Sequence, residues 1–239
     1  MNRVKKTIIQ YGMVAKEDRL ALGVSGGKDS SALLYFFHHI RAHAPFHFSL
    51  KAIFVDLGLE MDLLPLKEFC AALEIPLYVE KTHIAEIIFD RRKEKNPCSL
   101  CAKMRRGALH KAAKELGCNR VALGHHLDDA LETFFLNLLF AGKLDTFKPH
   151  TYLSRRDLYL IRPLICLTGQ NIASLARLEK LPVIESPCPV AGKTKRHEMG
   201  DIVSLLASRY PFLYQRFMTS LQKSGLWSTK PFFWNEGGD

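Results

Sequence analysis

The stretch that most constrains this chain is Ser25-Gly26-Gly27-Lys28-Asp29-Ser30. It lies between the apolar run Leu20-Ala21-Leu22-Gly23-Val24 and a longer one, Ser31-Ala32-Leu33-Leu34-Tyr35-Phe36-Phe37. The first run reads as a strand and the second as a helix, so the hexapeptide is a strand-to-helix turn. Two glycines permit a tight turn whose backbone N–H groups face an anion. The helix that follows adds the positive end of its dipole, and Lys28 adds a mobile cation. GxxxxGK[ST] does not occur, so this phosphate-binding turn is not a P-loop of the kinase or GTPase kind.

The rest of the chain repeats the strand–helix alternation. Residues 3–17 read as a short amphipathic helix, with Val4, Ile8 and Tyr11 on one side. Strands are predicted at 20–24, 48–56, 77–79 and 120–123, with an extended segment at 158–163 and another strand at Pro182–Ile184. Helices are predicted from the turn to about His39, at 63–73, 102–116, 130–140 and 168–180, and through most of the stretch to Leu221. The 130–140 helix is so apolar that most of its faces are expected to be buried. Alternation of this kind predicts an α/β fold, an open, mostly parallel sheet with helices on both faces. The predicted organisation is an N-terminal helix (1–17), a catalytic domain (18–221) with an inserted cysteine-rich, basic segment (84–116), and a tail (222–239). Within that tail Trp227 to Asp239 is expected to be loosely packed.

Composition narrows the partner. The net charge is +10, from 34 Lys and Arg against 24 Asp and Glu, which favours a polyanion. Between Arg91 and Lys114 stand nine Lys or Arg and a single acid, Glu94. No secretory leader is visible and the most apolar stretch, 134–141, is too short to span a bilayer, so a cytoplasmic protein with no membrane partner is expected. Six cysteines (70, 98, 101, 118, 166, 188) in that setting read as thiols or ligands rather than disulfides. Cys70, Cys118 and Cys166 fall in helices or beside strands and read as apolar filling.

Three groups of residues can carry chemistry. Asp29 and Asp56 follow predicted strands, where an open parallel sheet gathers its ligands. Asp29 is the candidate for holding Mg²⁺ beside a triphosphate, with Asp128 or Asp129 as a second contributor. Asp56 either positions a nucleotide or caps the turn after its strand. Gly124-His125-His126-Leu127-Asp128-Asp129, at another strand exit, gathers two histidines and two acids. Cys98-Ser99-Leu100-Cys101 places two thiols on one short turn, where the flanking cations are expected to keep them deprotonated. That pair alone reads as half a zinc knuckle, a redox pair or two ligands of an iron–sulfur cluster. Cys188, held between Pro187 and Pro189, is the other cysteine in a rigid loop.

Ser-Gly-Gly-Lys-Asp-Ser at the first βα turn resembles the pyrophosphate-binding loop of the ATP pyrophosphatases, which cleave ATP between the α and β phosphates. Pro97-Cys98-Ser99-Leu100-Cys101 with Arg105-Arg106-Gly107-Ala108-Leu109, then Ala122–Asp129, then Ile161-Arg162-Pro163-Leu164, is similar within that superfamily to the bacterial tRNA 2-thiocytidine synthetase family. The similarity runs from about Asp18 to Leu221. It implies that Ser25, Gly26, Gly27, Lys28, Asp29, Ser30, Asp56, Gly124, His125 and Asp129 bind ATP with Mg²⁺ on Asp29. It implies that Cys98, Cys101 and Cys188 hold a [4Fe-4S] cluster, and that Lys28, Asp29, Asp128, Cys98 and Cys101 act in catalysis. The implied reaction adenylates the C2 oxygen of an anticodon-loop cytidine and replaces it with sulfur. A cysteine desulfurase or another sulfur donor is the implied partner, and a homodimer the implied assembly.

The basic stretches fit tRNA, with Arg105, Arg106, Lys143, Arg155, Arg156, Lys195 and Arg196 as candidate phosphate contacts. Two departures stand out. Cys188 lacks the nearby upstream cysteine common in that family, and Glu132-Thr133 stands where Gln-Thr is more familiar. Two other functions stay open on these residues: a tRNA-adenylating ligase of the lysidine synthetase type, and a zinc-stabilised tRNA-binding protein.

Overall fold

The computed structural model describes residues 1–93, 97–190 and 194–227. Among these residues six strands form one sheet: β1 (Arg19–Val24), β2 (Ser49–Asp56), β3 (Leu77–Lys81), β4 (Arg120–Leu123), β5 (His150–Leu153) and β6 (Leu158–Ile161). Their order is β3-β2-β1-β4-β6-β5. All neighbours run parallel except β5, which pairs antiparallel with β6 at the edge. The order reverses between β1 and β4, so the crevice beyond their carboxyl ends is where such a sheet takes a ligand.

Among the described residues eight α-helices pack around it: α1 (Asn2–Gln10), α2 (Lys28–Ala42), α3 (Leu64–Ala72), α4 (Pro97–Glu115), α5 (Leu127–Ala141), α6 (Gly169–Leu178), α7 (Lys195–Arg209) and α8 (Leu213–Lys223). The interior divides into two apolar clusters. One joins α1, α2, α3, α6 and α8 through Val4, Leu33, Leu66, Ile172 and Leu221. The other packs Leu109, Ala112 and Ala113 of α4 with Ile84 and Ile88, beside a π-helical turn at Glu86–Arg91. The open α/β sheet covered on both faces is therefore as the alternation predicts. Among the described residues no helix is long and apolar enough to cross a membrane.

A buried ion pair fixes the start of the sheet. Asp18 and Arg120 are both buried and bonded to one another, and Asp18 also accepts from Asn119 Nδ2 at 2.8 Å. Arg120 in turn lies over the Tyr159 ring, 4.7 Å from its centre, so β1, β4 and β6 share one charged staple.

Several local expectations change. Helix α1 stops at Gln10 rather than residue 17, because Gly12 takes a left-handed turn at φ 56°. Helix α4 begins at Pro97, so the cysteine pair rides on its first turn instead of preceding it; proline suits that position because its missing N–H has no intrahelical acceptor there. Pro182–Ile184 forms no sheet strand, and the Ile184 N–H bonds instead to the Gly26 carbonyl at 2.9 Å. Helix α5 buries only Leu127, Ala130 and Leu131, while Leu139 and Phe140 are exposed, because the helix runs beyond the sheet it starts from. Trp227 is buried, with its ring edge against Tyr11 and its Nε1 donating to the Phe147 carbonyl at 3.2 Å; the chain packs at least that far. The rest of the expected tail, together with Glu94–Asn96 and Ala191–Lys193, lies outside the described residues.

Candidate active site

The turn Ser25–Ser30 sits at the mouth of the crevice, and its geometry follows from its residues. Gly26 takes φ 81°, a conformation that favours glycine, and a Cβ there would come within 2.9 Å of Met61 Cε and 3.2 Å of Ile184 Cβ. Gly27 caps α2 in extended conformation, so the free N–H groups of the first helical turn face the crevice mouth. Ser30 stitches the turn: its hydroxyl donates to the Gly27 carbonyl at 2.8 Å and accepts from the Ser25 N–H at 3.2 Å. Lys28 Nζ lies 2.5 Å from Asp29 Oδ1. Both side chains are part-exposed, and among the described residues nothing bonds Asp29 Oδ2.

The exit of β4 is pressed directly onto this turn. A Cβ on Gly124 would meet the Asp29 carbonyl oxygen at 2.8 Å and the Ser30 nitrogen at 3.3 Å. Glycine here is therefore a condition of close approach. The two histidines that follow separate. His125 stacks on Phe147, ring centres 4.9 Å apart, and its Nδ1 accepts from Arg162 Nε at 3.2 Å. Burial drives His125 down to about 3, with Arg162 and Arg196 adding to the effect, so it is a neutral acceptor. Burial likewise lowers Arg162, to about 10, with Arg106 contributing and Asp129 opposing.

His126 turns the other way, into the carboxylates. Its Nε2 stands 3.6 Å from Asp29, and its Nδ1 stands 3.3 Å from Asp128 and 3.5 Å from Asp129. Its backbone N–H donates to Asp129 Oδ2 at 2.9 Å and closes a capping box at the start of α5. Asp128 is enclosed: Tyr214 donates to Oδ1 at 2.5 Å and the Gly169 N–H to Oδ2 at 2.6 Å. Burial alone would raise Asp128, but His126, Tyr214 and Gly169 overcome it and hold the acid at about 2. Asp128 thus ties α5 to α6 and α8, with both oxygens already taken. Asp56, the other predicted nucleotide contact, accepts from the Gly58 N–H at 2.9 Å and so caps the turn after β2.

Two residues here escape sequence reasoning. His126 was indistinguishable from its neighbour in the sequence, and only the helix start decides which ring meets the acids. Glu132 looks like an ordinary helical acid, yet its side chain is 16% exposed and faces Arg196 at 3.3 Å. Burial raises it to about 7, Asp129 adding to the rise and Arg196 opposing it. The available signals were its place six residues beyond His126, on the buried side of α5, and its standing where Gln-Thr is more familiar.

Cys98, Cys101 and Cys188 all line one cavity of about 120 Å³, walled by Leu57, Ile88, Phe89 and Val190. Cys70, Cys118 and Cys166 are buried elsewhere. The basic flank does not hold Cys101 as a thiolate: burial pushes that thiol up, Arg105 opposes, and Cys188 and Cys98 reinforce the rise. Lys103 and Arg106 lie on another side of α4 and contribute nothing here. Among the described residues no three His, Cys, Asp or Glu side chains are drawn together as ligands of a single ion. Soft sulfur donors set around an apolar cavity, rather than at a common point, fit an iron–sulfur cluster, whose thiolates stand farther apart than those of one tetrahedral ion. For Mg²⁺ the oxygen donor with room is Asp29, since Asp128 and Asp129 are both engaged by protein donors.

The predicted tRNA contacts divide as well. Arg105, Arg106, Lys143, Arg155 and Arg156 are exposed. Lys195 pairs with Glu198 at 2.9 Å, and Arg196 binds Asp129, Glu132 and Thr133, so these two have partners within the chain.

Residues 1–197 match the family model described as a PP-loop domain. The chain is 35% identical over 224 residues to the tRNA-cytidine(32) 2-sulfurtransferase of Pelobacter propionicus, covering 91% of this chain and 82% of that protein. It is 34% identical over 226 residues to the enzyme of the same name from Citrifermentans bemidjiense, covering 92% and 88%. Among solved structures, the U34-tRNA thiolase NcsA from Methanococcus maripaludis with its [4Fe-4S] cluster superposes with a TM-score of 0.73 at 25% identity, covering 92% of this chain and 78% of that one. A phosphoadenylyl-sulfate reductase from Candida auris shares the fold alone, at a TM-score of 0.50 and 15% identity over 75% of this chain and 81% of that one. A glycine-tight phosphate turn, a carboxylate-ringed histidine and three thiols around one cavity are thus joined to relatives along almost the whole chain: the protein belongs to the PP-loop family, among the tRNA-cytidine(32) 2-sulfurtransferases.

Proposed function

We propose that this chain is an ATP-dependent tRNA sulfurtransferase that converts an anticodon-loop cytidine to 2-thiocytidine. The observation that carries the reading is the 2.9 Å bond from the Ile184 N–H to the Gly26 carbonyl. Cys188 follows Ile184 by only a few residues, so the segment that brings the third thiol to its cavity is fastened to the phosphate turn. Nucleotide and sulfur chemistry therefore share one mouth.

The residues divide the work as follows. Ser25–Ser30 and the N-terminus of α2 hold the β and γ phosphates, and Lys28 offsets charge on the departing pyrophosphate. Asp29 Oδ2 is the oxygen for Mg²⁺, with ATP oxygens and water completing its shell. The C2 oxygen of cytidine attacks the α-phosphorus, the P–O bond to pyrophosphate breaks, and the base is left with AMP on oxygen. Sulfide, HS⁻, then forms the C2–S bond as the C2–O bond breaks with AMP leaving, and its proton is released. A [4Fe-4S] cluster held by Cys98, Cys101 and Cys188 supplies, when bound, an iron free to take sulfur. His126 keeps Asp29, Asp128 and Asp129 in register across the turn. The exposed arginines and lysines grip phosphates and fix the anticodon loop, whose unpaired base is cheaply taken out of its stack. The finer partners belong to the same reading: a cysteine desulfurase or other sulfur donor, a homodimer, and a cytoplasm that keeps thiols reduced.

The test is mass spectrometry of nucleosides after tRNA is incubated anaerobically with the cluster-loaded protein, ATP, Mg²⁺ and sulfide. The expected product is 2-thiocytidine, and it disappears with Lys28→Ala. Lysidine, or an unchanged nucleoside profile from an ATP-consuming protein, would sink the reading.

A further inference from the structure

On a different side of α4 from the cysteine cavity lies a larger, open pocket of about 720 Å³. Ser99, Lys103, Arg106 and His110 line it, one face of the helix by their spacing, and Arg156 closes it from the turn between β5 and β6. That turn is not free to drift. Lys114 of α4 donates to the Asp157 carboxylate at 3.1 Å and its carbonyl at 3.2 Å, and Tyr152 holds the same carboxylate at 3.0 Å. The backbone that carries Arg156 is thereby held beside α4.

His110 is the unusual member. It is 6% exposed, and its Nε2 has no hydrogen-bond partner among the described residues. A buried polar atom without a partner costs about 1–3 kcal/mol, which calls for a ligand. Burial, then Arg156 and Arg106, depress His110, so it sits as a neutral imidazole among cations. Three cations stand beside one neutral donor–acceptor, a set that a simple dianion does not require. It suits a group that carries a charge and, beside it, a hydroxyl.

The triphosphate has its own cradle at Ser25–Ser30, to which α4 and the β5–β6 turn contribute nothing. The pocket nevertheless adjoins the active site, since Arg106 is near enough to lower both Arg162 and His125. Resting on the tRNA reading above, we infer that this pocket receives one phosphodiester of the tRNA anticodon loop together with the ribose beside it. Lys103, Arg106 and Arg156 take phosphate oxygens, and His110 Nε2 takes the 2′-hydroxyl. The 2′-hydroxyl both donates and accepts, so either neutral tautomer of His110 serves. It is also the group by which a protein distinguishes RNA from DNA.

The experiment measures binding of anticodon stem-loop RNAs, each with one loop ribose changed to 2′-deoxy, to the full-length, cluster-loaded protein. One position is expected to bind about three- to tenfold more weakly, the worth of one hydrogen bond. His110→Phe should erase that difference, and His110→Gln should retain it. Equal discrimination by wild type and His110→Phe, or none at any position, overturns the inference. Because His110 is buried, exposed Lys103→Ala and Arg156→Ala provide a second reading. Each should reduce the slope of log affinity against log salt by about 0.7, one phosphate contact on single-stranded RNA. Unchanged slopes, or variants weakened only toward a protein sulfur donor, overturn it equally. Binding is scored without turnover, so an enzyme that thiolates another nucleoside fails the earlier test while leaving this one intact.

Discussion

His126 Nε2 stands 3.6 Å from Asp29 Oδ1, joining the residue that caps α5 to the acid that opens α2. Its other nitrogen lies 3.3 Å from Asp128 but lacks a well-aligned hydrogen bond, so the attraction is mainly Coulombic. Burial opposes charging this ring, yet Asp128, Asp129 and Asp29 outweigh it and push His126 up. A folded-state value above the ordinary 6.5 gives stability that is complete below 6.5 and lost as pH rises through the higher folded value. Urea denaturation across that range should show the loss in wild type and its absence in His126→Gln. An identical pH dependence in the variant would disprove the charged assignment.

Glu132 carries the same sign in a lower window. Its carboxyl is raised from 4.5 to about 7, so the protein loses stability between those values as the unfolded chain ionises first. Glu132→Gln removes that loss and should be more stable than wild type at pH 8, on the order of 1–3 kcal/mol. Titration of chemical stability from pH 4 to pH 8 distinguishes it from His126, whose window opens only at 6.5.

Gly124→Ala should damage nucleotide binding without touching a phosphate. Its Cβ would press on the Asp29 carbonyl at 2.8 Å, and backbone cannot rotate away as a side chain can. Overpacking of this kind costs about 1–3 kcal/mol. Calorimetry should find weaker ATP binding, with a thermal midpoint lowered by several degrees.

Among the cysteines, position relative to the cavity predicts the outcome. Cys188→Ser and Cys101→Ser should each abolish the visible charge-transfer absorption of anaerobically loaded protein. Cys70→Ser, on the buried face of α3 and outside the lining of that cavity, should leave the spectrum intact while lowering stability. A full spectrum in Cys188→Ser would remove it from the ligand set.

Trp227→Ala should cost about 3–5 kcal/mol, the usual penalty for emptying a fully buried aromatic site. The ring joins α1, through Tyr11, to the loop before β5, through the Phe147 carbonyl. Truncation after Lys223 should destabilise the protein comparably in a denaturant melt.

Much of the site was legible because its chemistry is local. A strand exit, two glycines and a helix start occupy consecutive residues, and strand–helix alternation places such turns at one edge of a parallel sheet. The cysteine pair at i and i+3 shares one short turn, although that turn opens α4 instead of preceding it as expected. What stayed hidden was whatever depends on direction rather than order. His125 and His126 are adjacent and chemically identical, yet one stacks beside Arg162 and the other enters the carboxylates. Arg196 reads as a phosphate contact until α7 lays it against Asp129 and Glu132. The apolar run of α5 reads as buried, because periodicity reports a helix and not how much of it the sheet reaches.

The sequence by itself determined the fold class, the phosphate turn and the three cysteines outside the apolar core, since turn chemistry and residue type act over a few bonds. Only the tertiary structure brings Cys188, which the family resemblance had already grouped with Cys98 and Cys101, to one cavity with them and ties its segment to Gly26. It also decided that Glu132 is buried beside Arg196. Distances between residues far apart in the chain, and the desolvation they impose, exist only once the sheet has closed its two faces.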